Sequence, residues 1–388
     1  MRMPLLDRAF YLLDSAHSPQ DFTLIFDLRK QPERDRLYAG ARSAMNRFPV
    51  SACSVAKGAW MWRGHFKLTV AEGSEAIERF IDEPFDLRRE PPVKQLLLPG
   101  RLATRFHHAA ADGLSAALWL GHQLNVAYGF ERGQTERSGF DQLALRGSSQ
   151  SITRSRFAFA GGSDPLRTSH PQRSGLRRWS TICFPSIRRS RGFTYHDLLA
   201  TCTLDVLRLW NDCSHGAKIG LWVPMNVRRE MREGFGNGTS RIRVYANYDR
   251  RASLHEKCRA VREQVAWTTN HGEWVVPELS RLMRLPDAIL RPLLRNYLKR
   301  PKVDMATGVF THASTGLANA GAAFRHVERI ECVGLLHQRQ NLALNAVTHS
   351  GHTWLTLTYD PARLTSTDIK QLTQLFSQQI AQARRELS

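Results

Sequence analysis

Phe106-His107-His108-Ala109-Ala110-Ala111-Asp112-Gly113 places two imidazoles, a carboxylate and a glycine in one short stretch. Imidazole changes charge nearer to neutral pH than any other unperturbed side chain, so a positioned histidine can take a proton from a nucleophile and give it back. An enzyme is therefore the leading reading. Gly113 has no Cβ and is expected to let the backbone turn sharply beside the histidines.

Working outward, Pro99-Gly100 is a turn dipeptide between the strand-like runs 93–98 and 101–107, which predicts a hairpin ending at the histidines. Leu114, Ala117, Leu118, Trp119 and Leu124 then follow a helical period, so the pair falls in a strand-to-helix connection. Residues 22–28 read as a strand, and 60–70 as a hairpin turning at Arg63-Gly64. Thr194-Tyr-His-Asp197 is an approximate capping box opening a helix through Leu198, Leu204, Leu207 and Trp210. A strand over 219–224 leads into Met225-Asn226-Val227-Arg228, and the runs 342–348 and 353–359 flank Ser350-Gly351 as a further hairpin. A last amphipathic helix carries Ile369, Leu372, Phe376 and Ile380. No repeat of solenoid length is visible, and mixed strands and helices in both halves indicate an α/β (α+β) chain.

At 388 residues the chain is long for one core, and 42% hydrophobic residues suffice for two. The apolar signal thins in the middle, where Ser, Gly and Arg dominate. This gives an N-terminal subdomain over 1–145, a linker over 146–180 and a C-terminal subdomain over 181–388. Six scattered cysteines form no C-x-x-C pair, which argues against a zinc site or a disulfide framework and for a reducing cytoplasm. Charges within 1–15 interrupt any signal-peptide core, and nowhere do 18 apolar residues run together, so no membrane span is expected. The net charge of +20 attracts polyanions without choosing among nucleic acid, anionic lipid, a nucleotide-bearing thioester and an acidic protein. Basic runs such as Arg188-Arg-Ser-Arg-Gly192 lack interleaved aromatics, and no nucleic-acid reader motif is present, so nucleic acid is not expected as a partner. Gly234-Phe-Gly-Asn-Gly238 lacks the spacing of a phosphate loop, and His312 reads as an ordinary solvated histidine.

His107-His108-Ala-Ala-Ala-Asp112-Gly113 resembles the H-H-x-x-x-D-G signature of the condensation-domain and chloramphenicol-acetyltransferase-like acyltransferase superfamily. Pro4-Leu-Leu-Asp-Arg-Ala-Phe-Tyr-Leu-Leu-Asp14 is similar to the opening of bacterial wax ester synthases and polyketide-associated acyltransferases. Phe85-Asp-Leu-Arg-Arg-Glu-Pro-Pro92, Val223-Pro-Met-Asn-Val-Arg228 and Phe235-Gly-Asn237 resemble later pieces in the same order. The resemblance implies two chloramphenicol-acetyltransferase-like subdomains in a V around a central tunnel. It makes His108 the general base, with His107 holding the loop. Asp112 becomes structural, paired with Arg228, or with its neighbour Arg229. Amides near Gly113 would serve the oxyanion, with Ser314 a weaker candidate in the tunnel. Ser314 also marks a departure, standing where the superfamily's S-N-x-G loop has asparagine, and the D-F-G-W-G motif of the plant branch is absent.

The implied reaction moves an acyl group from a coenzyme A or carrier-protein thioester to an alcohol or amine. No metal or bound cofactor is expected; acyl-CoA or a phosphopantetheinyl carrier protein is a co-substrate. The alternatives are a condensation-type enzyme that cyclises or dehydrates a carrier-tethered intermediate, and a non-catalytic module that recruits carriers.

Overall fold

The structure, a computed structural model, describes residues 1–139, 156–159, 162–187, 192–211, 216–228, 235–271, 285–299, 306–313, 321–337 and 340–387. In the first half, β1 (Asp21–Leu28) pairs antiparallel with β6 (Arg101–His107), which forms a hairpin with β5 (Val93–Leu98). Gly100 takes φ +71° in that turn, a left-handed conformation open to glycine at no steric cost. β4 (Lys67–Val70) runs parallel to β5. The hairpin expected at Arg63-Gly64 is a different one: β2 (Cys53–Ala56) turns at Lys57-Gly58 into β3 (Ala59–Trp62). Both turn residues have positive φ, 50° and 70°, the pairing whose twist matches a two-residue hairpin, and residues 67–70 go to the main sheet instead.

Helices α2 (Arg34–Arg47) and α4 (Gly113–Ala127) cover one face of this sheet through Leu37, Ala41, Trp119, Leu120 and Leu124. The other face, with Ile25, Leu96 and Ala103, packs against Ile77, Phe80 and Ile81 of α3 (Glu75–Asp82). β6 therefore sits inside a sheet covered on both sides, and the histidines emerge from the end of an interior strand.

The second half repeats the plan. Its sheet runs β7 (Arg178–Pro185), β13 (His352–Tyr359), β12 (Leu342–His349), β10 (Gly308–Ala313), β8 (Gly220–Asn226), β9 (Thr239–Tyr245). The step from β7 to β13 to β12 to β10 is antiparallel, antiparallel, parallel, as it is from β1 to β6 to β5 to β4. A helix follows each hairpin, α4 in the first half and a C-terminal helix over Ser366–Leu387 in the second. That last helix packs with α5 (Tyr195–Trp210) and α6 (Leu254–Asn270) on Leu221, Phe310, Leu344 and Leu357. α5 opens with the full capping box, Thr194 and Asp197 bonding each other's backbone amides.

β11 (Val327–Val333) and Arg177 both tie the halves together. β11, from the second half of the chain, pairs antiparallel with β1 at the edge of the first sheet, with Thr23 opposite Val333. Arg177, in the stretch 146–180 read as a linker, is 2% exposed and reaches into the first half. It donates to the Asp21 carbonyl at 2.7 Å and to Asp21 Oδ1 at 2.6 Å, while Arg105 holds the same carboxylate in a bidentate grip at 2.8 Å. Two guanidiniums outweigh the burial of the Asp21 carboxyl and hold it well below the usual carboxylate range. Among the described residues no helix is long and apolar enough to cross a membrane.

Candidate active site

The end of β6 sends the two histidines to different surroundings. His107 is wholly buried; its Nδ1 accepts from the Ala109 amide at 3.0 Å, its Nε2 faces Asp14 Oδ2 at 3.5 Å, and its ring meets Phe85 edge-on at 5.4 Å. It braces the bend. His108 keeps partial exposure, and both halves of the chain grip its backbone: its amide donates to the Gln20 carbonyl at 2.7 Å, and its carbonyl accepts from Asn237 Nδ2 at 2.7 Å. Phe10 stacks on its ring at 5.0 Å and Phe22 leans on it at 4.8 Å. Nδ1 is sealed and lacks a partner among the described residues.

Burial, with His107 adding a little, pushes His108 down to about 4 against the opposing charges of Asp112 and Asp21. His108 is thus neutral at physiological pH. Activity that needs this free base is expected to fall only as pH drops through about 4, well below the ~6.5 of an ordinary histidine. The acid limb of a kcat/KM profile checks this. The linked effect on stability has the same sign. Between about 6.5 and 4 the unfolded chain binds a proton here that the folded chain refuses, so stability is lost as the pH is lowered across that window.

Asp112 caps α4, its Oδ1 accepting from the Ser115 amide at 3.0 Å and from Arg228 Nη2 at 2.7 Å. Its Oδ2 accepts from the Gly238 amide at 2.9 Å and Thr239 Oγ1 at 2.8 Å. A carboxylate has about four acceptor sites, and all are used. Both members of the ion pair are 1% exposed. Burial alone would raise this carboxyl, but Arg228 and the other donors hold it below the usual range. Arg228 Nη2 also reaches Ser115 Oγ at 2.9 Å and the Gly236 carbonyl at 3.0 Å, closing a ring of contacts between α4 and the segment before β9.

The glycines here behave differently from expectation. Gly113 lies at the first position of α4 outside the positive-φ region, and a Cβ there would meet nothing within 4 Å. The sharp turn is made by the histidine and alanine residues before it. Gly238 is the constrained one, since a Cβ would stand 2.6 Å from Arg228 Cγ and 2.9 Å from its Cζ. Gly238→Ala is expected to displace Arg228 and cost about 1–3 kcal/mol, whereas Gly113→Ala leaves the melting temperature unchanged or slightly raised. Thermal denaturation of the two variants separates them.

Ser314 and Arg229 lie outside the described residues. His312 is no solvated bystander: it stacks beside His196 at 5.9 Å, bonds Thr348 Oγ1 at 2.9 Å, and burial pushes it down to about 4. Several site residues escaped the sequence reading. Phe10 and Asp14 belong to the opening segment 4–14, which wraps around the histidines. In the same segment Asp7 is 4% exposed; burial pushes its carboxyl well up, Trp60 opposing and Asp112 adding to the rise. Asn237 was named only as part of a pattern. A cavity of about 550 Å³ opens next to His107, lined by Tyr11, Asp14, Phe85, Arg88, Arg105 and Arg177.

No family model matches the chain, and no curated protein matches it. Solved structures do. A starter condensation domain of rhizomide synthetase RzmA, in complex with C8-CoA and Leu-SNAC, superposes with a TM-score of 0.65 at 13% identity, over 98% of this chain and 93% of that one. The EpoB cyclization-docking bidomain from Sorangium cellulosum gives a TM-score of 0.66 at 13% identity, over 100% and 85%. The nonribosomal peptide synthetase FmoA3 gives 0.66 at 14%, over 97% of this chain but only 42% of that longer one. The chain therefore has the condensation-domain fold, with the two-subdomain layout of these neighbours. All three are domains of the peptide-synthetase kind rather than of the wax ester synthase branch that the opening residues resemble.

Proposed function

We propose that the chain is an acyltransferase with His108 as general base. The acceptor's hydroxyl or amine gives its proton to His108 as its oxygen or nitrogen bonds the acyl carbon of a coenzyme A or carrier-protein thioester. The carbon–sulfur bond then breaks, and the departing sulfur takes the proton from His108. The donor is already activated, so no acyl-enzyme is needed when both substrates meet in one tunnel between the halves. The observation that carries this reading is the contrast between two neighbours. His108 is neutral and keeps partial exposure, whereas Asp112 is 1% exposed with every acceptor site filled and is no candidate for the base.

The amides of Gly113 and Leu114 are left over by the first turn of α4, and Gly113 is exposed, which supports them as oxyanion donors. The net charge of +20 suits either donor, phosphate-bearing coenzyme A or an acidic carrier protein. A condensation-type setting in natural-product biosynthesis fits the neighbours. Intact-mass analysis of purified protein with a panel of acyl-CoA and acyl-carrier thioesters and candidate alcohols and amines tests the reading. Acyl transfer to an acceptor with release of free thiol is expected. The EpoB neighbour favours a second reading, in which a tethered intermediate closes a ring with loss of water; a product lighter by one water than the open-chain ester or amide of the same donor and acceptor would mark it.

A further inference from the structure

A catalytic imidazole is commonly aimed by a hydrogen bond to its second ring nitrogen. His108 has no such brace among the described residues: Nδ1 is sealed and unpartnered, and the hydrogen bonds to Gln20 and Asn237 fix only its main chain. What holds the ring is flat packing. Phe22 leans on it at 4.8 Å with the planes 46° apart, and Phe10 stacks at 5.0 Å with the planes 20° apart. Phe22 is itself fixed, since it sits in β1 and stacks on Phe106 of β6 at 5.6 Å. Phe10 comes instead from α1 (Leu5–Leu13), a helix that belongs to neither sheet. The aim of His108 therefore depends on where that helix lies.

α1 is pressed from behind by the second half of the chain. Its Ala9 and Leu12 pack against Leu290 and Leu294 of α7 (Asp287–Lys299), in a small cluster apart from the main cores. Arg8 Nε donates to Asp287 Oδ1 at 2.9 Å, and Arg8 Nη2 to the Leu285 carbonyl at 2.7 Å. At about 100° per residue, Arg8, Ala9 and Leu12 share one side of α1, and Phe10 stands about 200° round from Arg8, on the side of the bend. The two ends are tied to the first half. The Met1 ammonium donates to the Trp60 carbonyl at 2.8 Å, and the Gln20 amide donates to Asp14 Oδ1 at 2.9 Å. α1 is thus a wedge between α7 and the imidazole, anchored at both ends.

We infer that Phe10 is a positioning residue for His108, and that the Arg8–Asp287 clasp, by holding α1 against α7, keeps Phe10 on the imidazole. A contact near the surface of the second half thereby sets the aim and the hydration of a base carried by the first. The inference rests on the acyl-transfer reading only for what His108 does once aimed. The titratable groups around the ring are Asp112 and His107 in the bend, Asp21 on β1 and His337 on the chain beyond β11. All four stay in place when Phe10 or the clasp is altered, so a changed titration of His108 reports the loss of its cover.

NMR titration of the His108 ring in the full chain, its signal identified by absence from His108→Ala, tests this without any substrate. The parent ring is expected to stay neutral down to about 4. In Phe10→Ala water reaches the ring, and the midpoint is expected to rise by about one pH unit or more, toward the ~6.5 of an exposed histidine. Phe10→Tyr keeps the flat contact and is expected to stay with the parent. Asp287→Asn decides the clasp, on a side chain 40% exposed whose change leaves the fold standing even where Phe10→Ala does not. Removing a negative charge would by Coulomb attraction alone lower the midpoint, whereas loosening α1 raises it, by an expected half unit on the order of magnitude that partial hydration gives. Asp287→Glu, with the charge retained, is expected to stay near the parent. An unmoved midpoint in folded Phe10→Ala overturns the positioning role, and an unmoved or lowered one in Asp287→Asn overturns the clasp. Raised midpoints in a protein without transfer activity keep the inference and sink the acyltransferase; transfer with unmoved midpoints does the reverse.

Discussion

His108→Ala is expected to lose between about 10²- and 10⁴-fold in acyl-transfer rate while its melting temperature and far-UV circular dichroism stay those of the parent. The rate falls because no other described group near the bend offers a free base: His107 spends Nδ1 on the Ala109 amide, and Asp112 is saturated. The fold survives because the grip on this residue runs through its main chain, the amide to Gln20 and the carbonyl to Asn237, which any side chain leaves in place. The stacking of Phe10 and Phe22 on the ring is the part lost, a modest contribution. Turnover at the parent rate in a folded variant would remove His108 from the chemistry.

Asp112→Asn is expected to act through stability. Replacing one oxygen by an amide nitrogen leaves Arg228 as a buried charge without its counterion, at a cost of roughly 3–5 kcal/mol, and sets a donor against the two donors that the lost oxygen accepted from. In a chain of this size that is a fall in melting temperature on the order of 4–6 °C. Activity would fall with it, because the same residue caps α4 and ties the bend to Gly238 and Thr239. The double variant Asp112→Asn, Arg228→Met should recover part of the lost stability, since it removes the stranded charge together with its partner. Equal melting temperatures for parent and Asp112→Asn would show that the pair contributes nothing.

What the sequence made legible was local. The Pro99-Gly100 turn, the alternation on either side and the helical period after Gly113 each reside within a few residues, and together they located the bend. The misread hairpin shows the limit of such signals: Lys57-Gly58 and Arg63-Gly64 are the same kind of dipeptide, and only the sheet's need for a strand beside β5 decides between them. Arg177 was hidden for another reason. A serine- and arginine-rich stretch looks solvated, and nothing within it reveals that Asp21, far back along the chain, waits to neutralise one of its charges.

Because β11 belongs by sequence to one half and by pairing to the other, neither half is a module that could be cut free. A fragment ending before residue 327 would expose the outer rim of β1 as a row of unmet amides and carbonyls, open to aggregation, and its remainder would carry an orphan strand. The protein should accordingly melt in one cooperative event, and any widening of the gap between its halves must pivot about that shared border.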